Sequence, residues 1–466
     1  MPAAPEGRLH RLLPPSRRST AARAHREISR RRPVQVVVLG FAVAIVGGTA
    51  LLLLPVSATG QDASLIEAFF TAVSAVCVTG LIIVDTPTYW STFGQVVILG
   101  LIQVGGFGVM TLASVLGLML SHRLRLQSKV VAATATRTAR LGDVRTVLLN
   151  VLRTVVVVET VTALALTLRW SIGYDVPLGR AAWLGLFHSI SAFNNAGFAL
   201  FSDNLVPYGS DPWICLPIAA ALVVGGLGFP VLLELYRQHR RPARWSLQTK
   251  LTLLMTALLV SGGTLFVLVA EWNGAALGSL SGPGKVLAAL FQSVTTRTAG
   301  FNSVDVAELN TGTWLGMDVL MLIGGGSAGT AGGIKVTTFA VLGLAIWSEL
   351  RGDRDVSAYG WRISSVTLRQ ALTVALLSVA LVMASTITIA MTSPFTLDEI
   401  LFEVVSAFAT VGLSTGITAD LALPHQLLLC ALMFVGRLGP ITLGTALAMR
   451  TREQAFRYPE TTALIG

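Results

Sequence analysis

Charge is scarce in this 466-residue chain: Asp, Glu, Lys and Arg together make up 12% of it, where soluble domains carry roughly a quarter. With 53% hydrophobic residues and a mean hydropathy of +0.70 beside that shortage, a water-soluble fold is excluded. Cysteine is nearly absent. Cys77, Cys215 and Cys430 are scattered through apolar surroundings, so they give neither a disulfide framework nor a metal-ligand spacing and read as buried thiols. A Walker phosphate loop is also missing, because Lys335 follows Gly333-Ile334 rather than a glycine. Neither a nucleotide fold nor a soluble domain after Arg450 is legible, so nucleotide control is expected to come from another chain.

Acids are outnumbered by bases, 24 to 34, for a formal net charge of +10. The excess does not point to nucleic acid. It lies in an N-terminal tail (Arg8, Arg11, Arg17, Arg18, Arg23, Arg26, Arg30, Arg31, Arg32) and in loops between apolar segments, which is a topology signal. Ser29-Arg30-Arg31 followed by Val56-Ser57-Ala58 has the outline of an export signal, but the intervening run is long for one and every later segment also needs a membrane.

What is abundant is apolar sequence in runs of about 20 residues, enough to cross a bilayer core, beginning at Val36 to Val56. Between such runs one segment recurs four times: Phe69 to Leu81, Leu186 to Phe198, Leu290 to Phe301 and Phe402 to Leu413. The third copy is the loosest. Each comes after a spanning-length stretch (34–56, 147–170, 250–271, 367–391) and precedes another (95–120, 213–236, 314–348, 425–449). Being too brief to cross as a helix and ending in small residues and glycine, the recurring segment reads as a re-entrant hairpin whose irregular backbone lines water or protein. Glu67, Asp398 and Glu399 place acids in first turns, and Pro283 sits where a first-turn proline is tolerated. The carbonyl ends of the short helices, the negative ends of their dipoles, then favour a cation.

The expected fold is an all-α polytopic membrane protein of four pseudo-symmetric helix/pore-hairpin/helix repeats around one central pore. Its parts are a basic cytoplasmic tail (1–33), repeat 1 (34–121), a linker (122–145), repeat 2 (146–237), a linker (238–249), repeat 3 (250–350), a linker (351–365), repeat 4 (366–450) and a C-terminal tail (451–466). Bases crowd the links between repeats: His122 to Lys129 with Arg137, Arg140 and Arg145, Arg237 to Lys250, Arg351 to Arg369 and Arg450 to Arg457. That sets these links and both termini in the cytoplasm, with eight spanning helices. The outer links hold Asp62, Asp85, Asp175, Asp203, Asp211, Glu271, Asp305, Glu308 and Asp420 against only Arg180 and Lys285, an acidic mouth that concentrates cations.

The hairpin ends Val78-Thr79-Gly80, Asn195-Ala196-Gly197, Thr298-Ala299-Gly300 and Thr410-Val411-Gly412 resemble those of the Trk/Ktr/HKT potassium-transporter superfamily. The resemblance covers about residues 34–450, and without extra helices before the first repeat it is nearest to KtrB-type ion-conducting subunits. It implies K⁺ uptake across the cell membrane through a filter made by those twelve residues, with K⁺ as the transported ion, Na⁺ as a second possibility and no nucleotide bound by this chain itself. It further implies a homodimer on a cytosolic ring of KtrA/TrkA-like nucleotide-binding regulatory subunits. The chemistry agrees on its own terms. Main-chain carbonyls from four segments can replace the hydration shell of K⁺ without a fixed charge that would trap it, and packing of small residues alone would not demand one hairpin four times. The longer Thr-Val-Gly-Tyr-Gly run is absent, so fewer ordered ion sites are expected than in tetrameric channels.

The second helix of each repeat carries a glycine interruption: Gly105-Gly106-Phe107-Gly108, Gly225-Gly226-Leu227-Gly228, Gly324-Gly325-Gly326-Ser327-Ala328-Gly329-Thr330-Ala331-Gly332-Gly333 and Gly436-Arg437-Leu438-Gly439-Pro440. Only the third is expected to abolish the helix. The resemblance makes it an intramembrane gate loop below the filter, with Lys335 as its anchor or a snorkelling charge, and sets Arg437 beside it. Arg437 otherwise reads as a charge paired for structure. Glu159 reads as pairing with a neighbouring helix and Arg297 as structural. Two readings compete. Gly325-x-Ser327-x-Gly329 fits a nucleophile elbow, which would make a membrane serine hydrolase with His188 as base, and broken helices in repeats also serve Na⁺-coupled secondary symporters. Gly324-x-Gly326-x-x-Gly329 fits a dinucleotide loop only formally, since no strand precedes it.

Overall fold

The computed structural model describes residues 38–129 and 142–449. The tails 1–33 and 451–466 and residues 130–141 of the first linker, with their arginines, lie outside the described residues. The chain divides into residues 1–43 and 44–466. The described residues of the first lie at the start of α1 (Val38–Leu52), and every later described element belongs to the second.

Among the described residues the regular structure is helical except for one small hairpin. In order the chain forms α1, α2 (Leu65–Cys77), α3 (Thr86–Tyr89) and α4 (Thr92–Lys129), then α5 (Gly142–Gly173), α6 (Leu178–Asn194), α7 (Pro212–Leu227) and α8 (Phe229–Gln238). Next come α9 (Leu247–Glu271), α10 (Ala275–Gly278), α11 (Gly282–Thr295), α12 (Thr311–Leu322) and α13 (Val336–Arg351). The hairpin β1 (Ser357–Ala358)/β2 (Trp361–Arg362) leads to α14 (Ser365–Ala390), α15 (Leu397–Ala409) and α16 (Leu423–Met449). Among the described residues four helices are long and apolar enough to cross a membrane: Thr92–Met110 of α4, Leu149–Gly173 of α5, α9 and α14. The pair α7 and α8, bent by 99°, makes a fifth if counted as one span.

Two kinds of helix alternate for a physical reason. Along α9, Leu254, Leu258, Leu265 and Val269 are exposed, and along α14 Leu372, Leu376, Met383 and Ile387; such surface is at home only against lipid tails. The short helices α2, α6, α11 and α15 are buried over their last turns on every side. At the starts of α2, α11 and α15 the acids and the proline of the sequence stand in the first turn. Ser64 and Glu67 form a capping box on α2, Thr396 and Glu399 another on α15, and Pro283 sits in the first turn of α11 behind the Ser281 cap.

The packing order closes on itself. Within its own segment α2 lies against α4, α6 against α5 and α7, α11 against α9, and α15 against α14 and α16, while the second helix of each segment lies against the next short helix: α4 on α6, α7 on α11, α12 on α15, and α16 back on α2. Close approach requires glycine at these contacts. A Cβ at Gly105 of α4 would lie 2.0 Å from the Val76 carbonyl, at Gly225 of α7 2.0 Å from the Phe193 carbonyl, and at Gly436 of α16 1.7 Å from the Phe408 carbonyl.

One expectation fails here. The glycine run in α7 breaks its helix as well, at Gly228 with φ +89°. Pro230 has no N–H to give to Gly226 four residues back, and the freed carbonyls of Gly225 and Gly226 accept instead from Thr330 N–H (3.2 Å) and Gly326 N–H (2.8 Å). In α4 and α16 the helix runs through its glycines.

Two substitutions in α4 separate packing from helix propensity. Gly105→Ala pushes into a backbone oxygen and is expected to lower the thermal unfolding midpoint of the purified protein, at a cost of about 1–3 kcal/mol. Gly100→Ala meets nothing within 4 Å and should leave the midpoint unchanged or slightly raised. Equal midpoints for the two variants would contradict the packing described.

Candidate ion pore and gate

Each short helix ends by turning through a left-handed residue: Val78 (φ 56°), Asn195 (φ 60°), Thr298 (φ 71°) and Thr410 (φ 52°). For β-branched residues this is strained, on the order of 1–3 kcal/mol each, and persists only where the surroundings impose it. Two residues on stand Gly80, Gly197, Gly300 and Gly412, also at positive φ. These four glycines meet. A Cβ on Gly80 would lie 2.4 Å from the Ala196 carbonyl oxygen, on Gly197 2.9 Å from that of Ala299, on Gly300 2.6 Å from that of Val411, and on Gly412 2.0 Å from that of Thr79. Each hairpin thus leans on the main chain of the next, and the fourth leans on the first.

Serines fix three of the turns. Ser74 Oγ accepts from Gly80 N–H (3.1 Å), Ser406 Oγ accepts from Gly412 N–H (3.1 Å), and Ser191 Oγ donates to the Phe198 carbonyl (2.8 Å). The third hairpin has Val294 at the matching position, and Ser293 reaches instead to the Val260 carbonyl of α9 (2.8 Å), which accounts for its looser sequence match.

The four glycines form the floor of an open vestibule whose wall includes Asp85, Asp203 and Asp305. Three outer acids of the sequence are therefore gathered over the ring. Asp85 accepts from Thr88 Oγ1 (2.6 Å) and Ser202 Oγ (2.7 Å). At the start of α2, burial pushes the Glu67 carboxyl up, but hydrogen bonds from Ser64 and the Tyr89 hydroxyl outweigh it and leave it below the usual glutamate value. Tyr89 is in turn pushed up to about 12, by burial first and by Glu67 second.

Residues 324–333 are not helical. The loop's ends are tied together by Gly324 N–H to the Ile334 carbonyl (2.8 Å) and Val336 N–H to the Gly325 carbonyl (3.0 Å). Its middle is zipped to the break in α7 by the Gly326 and Thr330 bonds and by Phe229 N–H to the Ala328 carbonyl (3.3 Å). It also reaches the hairpins. Thr330 Oγ1 donates to Asn195 Oδ1 (3.1 Å), and a Cβ on Gly332 would lie 2.0 Å from Thr410 Oγ1.

Three buried cations hold this loop by its carbonyls. Arg437 Nη1 donates to Thr330, Lys335 Nζ to the adjacent Ala331, and Arg297 Nη2 to Gly324 (3.4 Å) as well as to Thr256 Oγ1 (3.4 Å). Nε and Nη2 of Arg437 have no hydrogen-bond partner among the described residues although the side chain is only 2% exposed. A charge buried with unpaired donors in apolar surroundings is costly to keep there.

Other sequence candidates stay apart. Ser327 Oγ pairs with Thr337 Oγ1 (3.1 Å), whereas His188 donates from Nδ1 to the Leu184 carbonyl (2.8 Å) and accepts at Nε2 from Leu200 N–H (3.3 Å). Both imidazole nitrogens are thus occupied by main chain, and no nucleophile–base pair forms. The formal dinucleotide loop comes after helix α12 rather than a strand. Glu159 accepts from Gln103 Nε2 (3.5 Å) and Asn194 Nδ2 (3.3 Å), with no basic partner among the described residues. Sequence reasoning misses the serine ties and the α7 break; a serine four residues before each of three left-handed residues, and Pro230 after the glycines, are the signals that carry them.

Comparison with known proteins agrees with this geometry. A profile of the TrkH family, described as cation transport proteins, matches residues 13–457. The chain is 39% identical to Ktr system potassium uptake protein B of Vibrio alginolyticus over 436 residues, 93% of this chain and 94% of the relative. It is also 39% identical to the protein of the same name from Bacillus subtilis over 435 residues (93% and 97%), and 34% identical to potassium/sodium uptake protein NtpJ of Enterococcus hirae over 443 residues (93% and 97%). The crystal structure of the potassium transporter TrkH from Vibrio parahaemolyticus shares the fold, with a TM-score of 0.70 at 19% identity over 90% of this chain and 85% of that one. The protein is accordingly a multi-pass protein of the cell membrane, and the chain belongs to the TrkH family of cation transport proteins.

Proposed function

We propose that the chain forms a pore for K⁺ uptake in which the four hairpins supply a filter of main-chain carbonyls and residues 324–333 form the gate. One observation carries the reading: Gly80, Gly197, Gly300 and Gly412 close a ring at the floor of an open vestibule with acids in its wall. The choice of ion draws on the relatives, two of which are named potassium uptake proteins. In full, the proposal has eight spanning segments (α1, α4, α5, α7/α8, α9, α12/α13, α14 and α16) in four pseudo-symmetric repeats, 34–121, 146–237, 250–350 and 366–450, with both termini in the cytoplasm. The bases of 237–250 and 351–369 support that orientation. A homodimer on a nucleotide-binding regulatory ring completes it, supported by the likeness to Ktr proteins.

The steps derive from the geometry. Asp85, Asp203 and Asp305 raise the local cation concentration. An ion entering the ring exchanges water for carbonyl oxygens of the hairpin ends, uncharged ligands that release it again. Below, it meets the loop and the positive charges of Lys335 and Arg437. Passage requires the loop to leave the α7 break, giving up its hydrogen bonds to Gly225 and Gly226, and to release the two cations. The α7 break adds a second discontinuous helix, a feature shared with coupled symporters; a pore conducts rubidium down its own gradient without sodium, and a strict need for an inward sodium gradient would favour the symporter.

Rubidium and sodium uptake into liposomes tests the reading. Gly300→Ala, whose Cβ would meet the Val411 carbonyl at a φ of +75°, should cut rubidium uptake by at least about tenfold or abolish its preference over sodium; unaltered uptake and preference would refute a filter at this ring. Removing residues 327–331 should raise flux and uncouple it from regulation. Arg437→Gln, which frees the Thr330 carbonyl, should raise basal flux several-fold, and unchanged flux in a correctly inserted Arg437→Gln protein would remove Arg437 from the gate.

A further inference from the structure

Two of the hairpins carry the same tie by different chemistry. In the fourth, Glu403 of α15 accepts from Thr415 N–H (3.0 Å), and in the second, His188 of α6 accepts from Leu200 N–H (3.3 Å). Both acceptors stand seven residues before the left-handed residue, Thr410 or Asn195, and both amides lie three residues past the ring glycine, Gly412 or Gly197. The first and third hairpins have Thr71 and Phe291 at this place, and neither makes such a bond. Because the ring runs from hairpin one through two and three to four, the two tied hairpins face each other across it.

The tied segments are the wall immediately above the ring. Ala199 and Phe201 on either side of Leu200, and Ser414 and Gly416 on either side of Thr415, line the vestibule, while Glu403 and His188 are fully buried behind it. Each acceptor is immobilised by its surroundings. The His188 ring is stacked on Phe201 with centroids 5.1 Å apart, has Trp170 at 5.2 Å and Phe301 of the third hairpin at 6.2 Å, and is locked by its own bond to Leu184. That fixes Nδ1 as the donor and Nε2 as the acceptor. Glu403 also accepts from the hydroxyls of Ser414, Thr415 (3.4 Å) and Thr418 (2.8 Å). A carboxylate, acceptor on both oxygens, satisfies all four donors. Ser414 Oγ accepts in turn from Gly416 N–H (2.8 Å), and Ser414 and Thr418 both line the vestibule.

We infer that His188 and Glu403 are positioning residues of the ion pathway: they clamp the exit strands of two facing hairpins, so that the spacing of the ring carbonyls, and with it the discrimination among alkali cations, depends on them. The inference rests on the reading of the ring as a filter. Backbone tied on both sides of a turn loses the freedom to relax around a smaller ion, and discrimination by a fixed carbonyl spacing needs that loss. Hairpins one and three, lacking the clamp, lean on the clamped pair through the ring contacts.

The test compares rubidium and sodium uptake into liposomes for the parent, His188→Phe, Glu403→Leu, His188→Gln and Glu403→Gln. His188→Phe keeps the aromatic packing and removes the acceptor; glutamine at either site restores an acceptor. The phenylalanine and leucine variants should raise the rubidium KM several-fold and the sodium-to-rubidium uptake ratio at least threefold, with the glutamine variants returning towards the parent. A fall in maximal rate alone, with KM and ratio unchanged, would indicate only structural support and overturn the clamp. Absence of rubidium uptake in the parent would count against the filter reading itself. Amide exchange in the parent gives a readout independent of flux and of the variants' folding. Leu200 and Thr415 should be among its slow amides despite neighbouring an open vestibule, and rapid exchange at both would overturn the inference.

Discussion

Four glycines occupy a place where a single carbon on any of them would strike a neighbouring main chain, and the rest of the molecule is arranged to permit that approach. The distances that a Cβ would meet at Gly80, Gly197, Gly300 and Gly412 all fall below 3 Å. Chain segments this close bring their carbonyl dipoles together, which is unfavourable without a positive charge among them. On the reading proposed here that charge is the transported ion. The strained left-handed residues before the glycines, the serine ties and the buried short helices all serve to hold main chain in a crowded place it would otherwise leave.

The same device recurs one layer out. Gly105, Gly225 and Gly436 let three long helices press on carbonyls near the ends of the short helices, so the turn that precedes three of the ring glycines is backed by a helix from its own segment. In the third segment that helix is absent at this depth. The loop 324–333 lies there instead, touching Asn195 through Thr330 and Thr410 through Gly332. Loop and ring are therefore in direct contact, and no long chain of intermediates is needed for a change in one to be felt by the other.

Much of this was legible from the residues. Scarcity of charge and spanning-length apolar runs led to helices such as Leu247–Glu271 and Ser365–Ala390, whose bounds lie within a few residues of the stretches 250–271 and 367–391, and Glu67, Glu399 and Pro283 marked the starts of short helices. What escaped depends on contacts across long sequence separations. The glycine runs of α4 and α7 look alike, and only Pro230 distinguishes the one that breaks. Which carbonyls Arg437 and Lys335 hold is decided by a loop more than 100 residues from Arg437. The tie that His188 and Glu403 make was hidden because their shared position carries a different residue in every repeat, so no pattern of identity could expose it.

Anomalous diffraction from crystals of the protein grown in rubidium tests the central claim most directly. The account predicts a peak on the axis enclosed by Gly80, Gly197, Gly300 and Gly412, ligated by main-chain oxygens of all four hairpins. A fully occupied rubidium site elsewhere in the membrane region, with none inside the ring, would contradict it.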